Sequence, residues 1–150
     1  MKSKHEYSDV RSVCHLIKEG RADQELKKLV ASDVSGLIAD KDAVVIPIPS
    51  HVGFATYTLN IASLAGFNVI DCIECEPHES LYERKKRGEH VEPKDLRFRL
   101  KEDAPDLKGK KVYLFDLVYA TGTTARAARA LFSFPTEVVV FAKDSTAIAK

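Results

Sequence analysis

Asp116 and the run Thr121-Gly122-Thr123-Thr124 are the residues whose types and spacing could do chemistry. Lys111 to Val118 read as a buried strand that carries a carboxylate near its end. A turn of glycine and three hydroxyls follows, and then a helix. Such a turn can hold a phosphate, because backbone N–H groups converge where a helix begins, the helix dipole favours negative charge, and hydroxyls add donors. Gly122 lets the backbone close around an anion with no Cβ in the way. An aspartate cannot hold phosphate, but it accepts hydrogen bonds from sugar hydroxyls or reaches a metal through water. Phosphate donors beside a carboxylate suit a phosphorylated sugar. An ordinary strand–turn–helix with a threonine cap uses the same residue types. The place directly after a buried strand favours the phosphate reading.

Two other stretches could face the same site. Pro47-Ile48-Pro49-Ser50-His51-Val52-Gly53 ends an apolar strand, since prolines withhold ladder donors. Ser50, His51 and the N–H groups up to Gly53 would then lie at another helix start, with His51 a weak cation near pH 7. A plain loop with Ser50 as helix cap is the alternative. Between Glu76 and Lys111 no long apolar run occurs, and polar segments of this length are often lids or binding loops. This one carries Arg84-Lys85-Lys86-Arg87 before Gly88, a candidate cationic lid or simply a solvated face. Leu96 to Leu100 alternates as an exposed hairpin strand would.

The elements that must position these residues are legible as apolar runs. Ala43 to Ile48, Phe67 to Ile73, Val112 to Val118 and Glu137 to Ala142 read as strands covered on both faces. Phe54, Tyr57, Thr58, Ile61, Leu64 and Ala65 are spaced as a helix face stopped by Gly66, and Thr123 to Phe134 reads as an alanine-rich helix stopped by Pro135. The first forty residues read as two helices, with Val10, Val13, Leu16 and Ile17 on one, Leu26 to Ile38 on the other, and Asp23 as a cap. The pattern predicts an α/β fold: a mainly parallel central sheet flanked by helices, with two N-terminal helices and a long polar lid or hairpin. Ligands in such sheets gather at the carboxyl ends of the strands.

Composition narrows the function classes. The chain has 150 residues, 45% hydrophobic and 30% charged, as one soluble domain with its own core would. No repeat or linker divides residues 1–150. A net charge of +1 gives no reason to expect nucleic-acid binding. No apolar run approaches membrane-spanning length, and the amino terminus lacks a signal-peptide core, which makes the cytoplasm the expected location. Cys72 and Cys75 form a C-x-x-C pair without a second pair, so buried thiols are expected, on opposite faces if Asn68 to Cys75 is one strand.

Phe115-Asp116-Leu117-Val118-Tyr119-Ala120-Thr121-Gly122-Thr123-Thr124 resembles the phosphoribosyl pyrophosphate (PRPP) signature of the type I phosphoribosyltransferases. That signature is an apolar strand, two acids, two mostly apolar residues, a small residue, then Thr-Gly-x-Thr. Leu117 stands where the second acid usually sits. The resemblance spans residues 43–143 in order of elements and about ten residues in specific motif. It implies a single phosphoribosyltransferase-like domain of the compact kind. It also implies transfer of a phosphoribosyl group from PRPP to a nitrogenous acceptor with release of pyrophosphate. Thr121, Gly122, Thr123 and Thr124 would hold the 5′-phosphate and Asp116 the ribose hydroxyls. Ser50, His51, Val52 and Gly53, with Arg84, Lys85, Lys86 and Arg87 on a mobile lid, would meet the pyrophosphate. Mg²⁺ would be held mainly by PRPP and water, with no protein ligand assigned. Ala120 disfavours 6-oxopurine salvage, and the acceptor base is not readable. On the same resemblance an aspartate at 117 would strengthen the ribose grip. A non-catalytic PRPP- or nucleotide-binding regulator is the alternative, and a homodimer stays open.

Overall fold

Apolar side chains on both faces of a strand demand cover on both sides, and that demand organises this chain. In the computed structural model, which describes residues 1–148, the order begins β1 (Lys2–Glu6), α1 (Tyr7–Lys18), α2 (Gln24–Ser35), β2 (Val44–Pro47), α3 (Tyr57–Leu64). It continues β3 (Asn68–Val69), β4 (Ile73–Glu74), α4 (Leu81–Lys86), a 3₁₀ turn (Pro93–Leu96) and β5 (Arg99–Leu100). It ends β6 (Val112–Tyr119), α5 (Thr123–Arg129), β7 (Glu137–Lys143) and α6 (Ser145–Ile148). Five strands form a parallel sheet in the order β1-β7-β6-β2-β3, and β4 pairs with β5 in a separate antiparallel ribbon. No helix among the described residues is long and apolar enough to cross a membrane.

Two cores flank the sheet. On one side Cys14, Ile17, Val30, Val34 and Ile61 from α1, α2 and α3 pack on Phe115 and Leu117 of β6. On the other, Ala125 and Ala128 of α5 pack with Ile46, Leu114 and Val140. The alternation along β6 follows from the two-residue period of a strand.

The central strand outruns its neighbour. β2 pairs with β6 only as far as Pro47 opposite Phe115, and the Ile48 N–H gives the last bond, 2.9 Å to the Phe115 carbonyl. Pro49 has no N–H to continue. From Asp116 to Tyr119, β6 pairs with β7 alone, so its far edge opens on a cleft.

Several expectations need correction. The first residues, Lys2 to Glu6, form an edge strand parallel to β7, and the two helices come after it. This polar run owes its conformation to tertiary pairing, with the His5 ring edge-on to Phe141 at 4.8 Å. The run from Phe67 to Ile73 is split, because the chain leaves the sheet after the Ile70 N–H bonds Val45 and then turns to meet β5. Asn68 to Cys75 is accordingly not one strand, so the two-residue alternation does not govern Cys72 and Cys75, which are both buried and both free as expected. The helix beginning at Thr123 stops at Arg129, before Phe134. Phe54 is 56% exposed, three residues ahead of α3. Of Leu96 to Leu100, only Arg99–Leu100 is strand, and Leu96 is buried at the end of the 3₁₀ turn.

Leu117 has the largest consequence. Its side chain is 0% exposed, in the core beneath α1, so an aspartate there would not strengthen sugar binding. Leu117→Ala is expected to cost about 3 kcal/mol, and Leu117→Asp more, because a charge is buried as well as a cavity made. Urea unfolding midpoints should fall in the order wild type, Leu117→Ala, Leu117→Asp. An unchanged midpoint for Leu117→Asp would place the side chain outside the core.

Candidate functional site

The turn after β6 is shaped by a glycine in the left-handed region. Gly122 has φ of 84°, and a Cβ there would come within 2.5 Å of the Tyr119 hydroxyl and 2.7 Å of an Arg126 guanidinium nitrogen. The first bond inside α5 runs from the Arg126 N–H to the Gly122 carbonyl at 2.9 Å. The amides of Thr123, Thr124 and Ala125 precede it and have no partner among the described residues. The hydroxyls of Thr121 and Thr123 lie 3.0 Å apart.

Two cations converge on this turn. The Lys85 ammonium, carried by α4, donates to the Thr121 hydroxyl and lies 3.4 Å from that of Thr123. The Arg126 guanidinium donates to the Thr121 carbonyl at 3.0 Å. Burial, reinforced by the charge of Arg126, lowers the Lys85 pKa. Neither cation has a carboxylate in ion-pair range among the described residues. Two like charges around a ring of hydroxyls and amides form a site that an oxyanion completes.

Asp116 lies on the floor of the cleft, whose volume is about 750 Å³. Its carboxylate accepts the Leu117 N–H at 2.8 Å. Burial pushes its pKa up to about 6, against the opposing pull of Lys18 and of the Leu117 N–H. Tyr57 stands close by, and burial together with the Asp116 charge raises its phenol pKa.

The sequence-predicted residues sort unevenly. Ser50, His51, Asp116, Ala120, Thr121, Gly122, Thr123, Thr124, Lys85 and Lys86 line one cleft. Val52 and Gly53 do not. The Gly53 N–H bonds the Ser50 carbonyl at 3.0 Å, and its carbonyl accepts from Cys75 at 2.9 Å, so its polar groups are spent on chain packing. Its φ is 102°, and a Cβ would meet the Cys75 carbonyl at 2.5 Å. Nor is this loop a helix start, since α3 begins at Tyr57 and its cap, Thr56, makes no side-chain cap bond. Ser50 caps nothing.

The four cations are divided by their neighbours on and beside α4. Arg87 is held by Glu79 at 2.7 Å and by Glu89 at 2.9 Å, and Arg84 lies 3.5 Å from Glu89, so neither lines the cleft. Lys86 lies 5.8 Å from the centre of the Tyr82 ring. Lys85 meets the threonine turn, where the resemblance implied the 5′-phosphate and not the pyrophosphate.

Sequence reasoning missed the opposite wall. Tyr7, His15 and Lys18 of α1 line the cleft, as do Tyr57, Tyr82, Tyr119 and Asp144. The Tyr7 hydroxyl and His15 Nε2 are 3.1 Å apart, and His15 stands edge-on to Tyr82 at 5.9 Å, which joins α1 to α4. Arg126 was findable, being one helical turn beyond Gly122. The α1 residues sit a hundred positions from the motif and carry no local signal. No family model matches this chain, and no curated protein matches it.

The raised Asp116 pKa makes a signed prediction. The folded chain retains the Asp116 proton up to about pH 6, whereas an unfolded aspartate loses it near pH 4. This residue therefore lowers stability as pH rises from about 4 to 6, and the deficit persists above that window. Asp116→Asn should gain about 3 kcal/mol at pH 8 and almost nothing at pH 4, read from urea unfolding at both. An equal change at the two pH values would refute the assignment.

Proposed function

We propose that the chain is a phosphoribosyltransferase-like enzyme that binds PRPP and transfers its phosphoribosyl group to a nitrogenous acceptor. The observation that carries this reading is the convergence of Lys85 on the Thr121 and Thr123 hydroxyls and of Arg126 on the Thr121 carbonyl, neither with a carboxylate partner among the described residues. Asp116, which lines the same cleft, is the acceptor for ribose hydroxyls. Ser50, His51 and Lys86 remain in the cleft for the pyrophosphate end. The likeness of Phe115 to Thr124 to the PRPP signature supports the same reading.

In this reaction the C1–O bond to pyrophosphate breaks, and the leaving group departs with the electron pair. The acceptor nitrogen forms the C1–N bond and gives up its proton to solvent. The chain's own residues would anchor the 5′-phosphate, fix the sugar and neutralise charge on the leaving oxygens, so that catalysis comes from positioning and electrostatics. Among the described residues no group of three His, Cys, Asp or Glu side chains could hold a metal. Mg²⁺ would enter as part of the substrate, bound to diphosphate oxygens and water, where it would offset the leaving group's charge. α4, tied to the threonine turn through Lys85 and to α1 through Tyr82, is placed to exclude water.

A second reading, a non-catalytic PRPP or nucleotide sensor, draws on the capture of Arg84 and Arg87 by Glu79 and Glu89, which leaves fewer cations for pyrophosphate.

Calorimetric titration with PRPP, with and without Mg²⁺, separates the two when ribose 5-phosphate and AMP are comparators. The enzyme reading expects Mg²⁺-dependent PRPP binding tighter than that of ribose 5-phosphate, and pyrophosphate release with some base. The sensor reading expects ribose 5-phosphate or AMP binding without turnover. Lys85→Met should weaken ribose 5-phosphate binding about ten- to a hundredfold, the loss of a charged hydrogen bond. Full affinity in that variant, or no binding of any of these ligands by wild type, would sink the phosphate-site argument.

A further inference from the structure

Tyr119 is the last residue of β6, and its ring packs against the core on the α5 side of the sheet, which contains Ile46, Leu114 and Ala128. The tip of the ring lies over the turn that follows. A Cβ on Gly122 would stand 2.5 Å from the Tyr119 hydroxyl, 2.9 Å from its Cζ and 2.7 Å from a guanidinium nitrogen of Arg126. The phenol and the guanidinium therefore meet over one backbone position, and Gly122 makes room for both.

A tyrosine with its ring in a core ordinarily has a partner for its hydroxyl. Tyr7 follows that rule, with its hydroxyl 3.1 Å from His15 Nε2. Tyr119 is half-buried and lines the main cleft, yet among the described residues its hydroxyl has no hydrogen-bond partner. Beside it, Arg126 spends one nitrogen on the Thr121 carbonyl at 3.0 Å, and Lys85 reaches the Thr121 and Thr123 hydroxyls from α4. Side chains from β6, α5 and α4 thus bring donors to the same four residues. A phenol bonds an oxyanion more strongly than it bonds water, because that bond is charge-assisted. The signature that this segment resembles has a mostly apolar residue at position 119, so the phenol is a departure from it.

We propose that Tyr119 is a ligand-binding residue of the phosphate site, its hydroxyl donating to a phosphate oxygen beside Arg126 while Lys85 bonds the same phosphate from α4. The proposal rests on the phosphate reading of the cleft and adds to it a side-chain donor from β6.

Tyr119→Phe removes the oxygen and keeps the ring in the core, which makes it the test. Calorimetry with ribose 5-phosphate should show binding weakened about tenfold, the loss of one hydrogen bond to a charged group, with the urea midpoint unchanged. Tyr113→Phe, at the other end of β6 and buried in the core beneath α1, should leave the affinity at the wild-type value. The chain contains no tryptophan, so its near-ultraviolet absorption reports tyrosine. Ribose 5-phosphate should give a tyrosine difference spectrum in wild type and in Tyr113→Phe, and a much smaller one in Tyr119→Phe. Wild-type affinity in Tyr119→Phe, with binding weakened in Lys85→Met, would overturn the Tyr119 contact and leave the phosphate reading standing. Weaker binding in Tyr119→Phe with a lowered urea midpoint, or with no difference spectrum in wild type, would make the hydroxyl part of the fold and overturn the contact. No ribose 5-phosphate binding by wild type would overturn both.

Discussion

Pro47 and Pro49 cannot donate ladder hydrogen bonds, and that limit decides where the cleft lies. β2 stops at the Ile48 N–H, while β6 continues for four residues beside β7. Asp116 is the first residue past the point where β2 ends, and the threonine turn follows where β6 gives way to α5. A parallel sheet needs both faces covered, so α1 and α3 pack one side and α5 the other. That packing brings Lys18 and Tyr57 to the same opening. Were β2 to pair along the whole of β6, the edge now facing the cleft would be closed by backbone.

Electrostatics then distinguishes residues that composition cannot. Four consecutive cations look equivalent as a run, yet Glu79 and Glu89 neutralise Arg87, Glu89 stands by Arg84, and Lys85 alone reaches the threonine hydroxyls. The part-buried Lys85 beside Arg126 is disfavoured as a charge, and the part-buried Asp116 in the same cleft is disfavoured as well. Each of these costs is relieved by a ligand that offers an oxyanion to one and hydroxyls to the other. A phosphorylated sugar offers both.

The sheet was legible in the sequence wherever a strand is covered on both faces. Val112 to Val118 and Glu137 to Ala142 are nearly continuous apolar runs for that reason, and both match their strands to within a residue. Lys2 to Glu6 was not legible, since an edge strand of polar residues is fixed by its partner and not by its own pattern. Asp116 and the threonine turn were readable because turn chemistry is local. The wall made by Tyr7, His15 and Lys18 was not, because it depends on how α1 crosses the sheet. Leu117 shows the limit of a motif: its position in the signature suggested a missing sugar ligand, whereas its environment is the core beneath α1.

The central claim is that the Thr121–Thr124 turn, with Lys85 and Arg126, holds the phosphate of a sugar whose hydroxyls bond Asp116. A crystal structure with ribose 5-phosphate tests it most directly. The account predicts the phosphate over the amides of Thr123, Thr124 and Ala125, the Lys85 ammonium turned onto a phosphate oxygen, and ribose hydroxyls on Asp116. A phosphate bound elsewhere, with Lys85 still donating to Thr121, would contradict it.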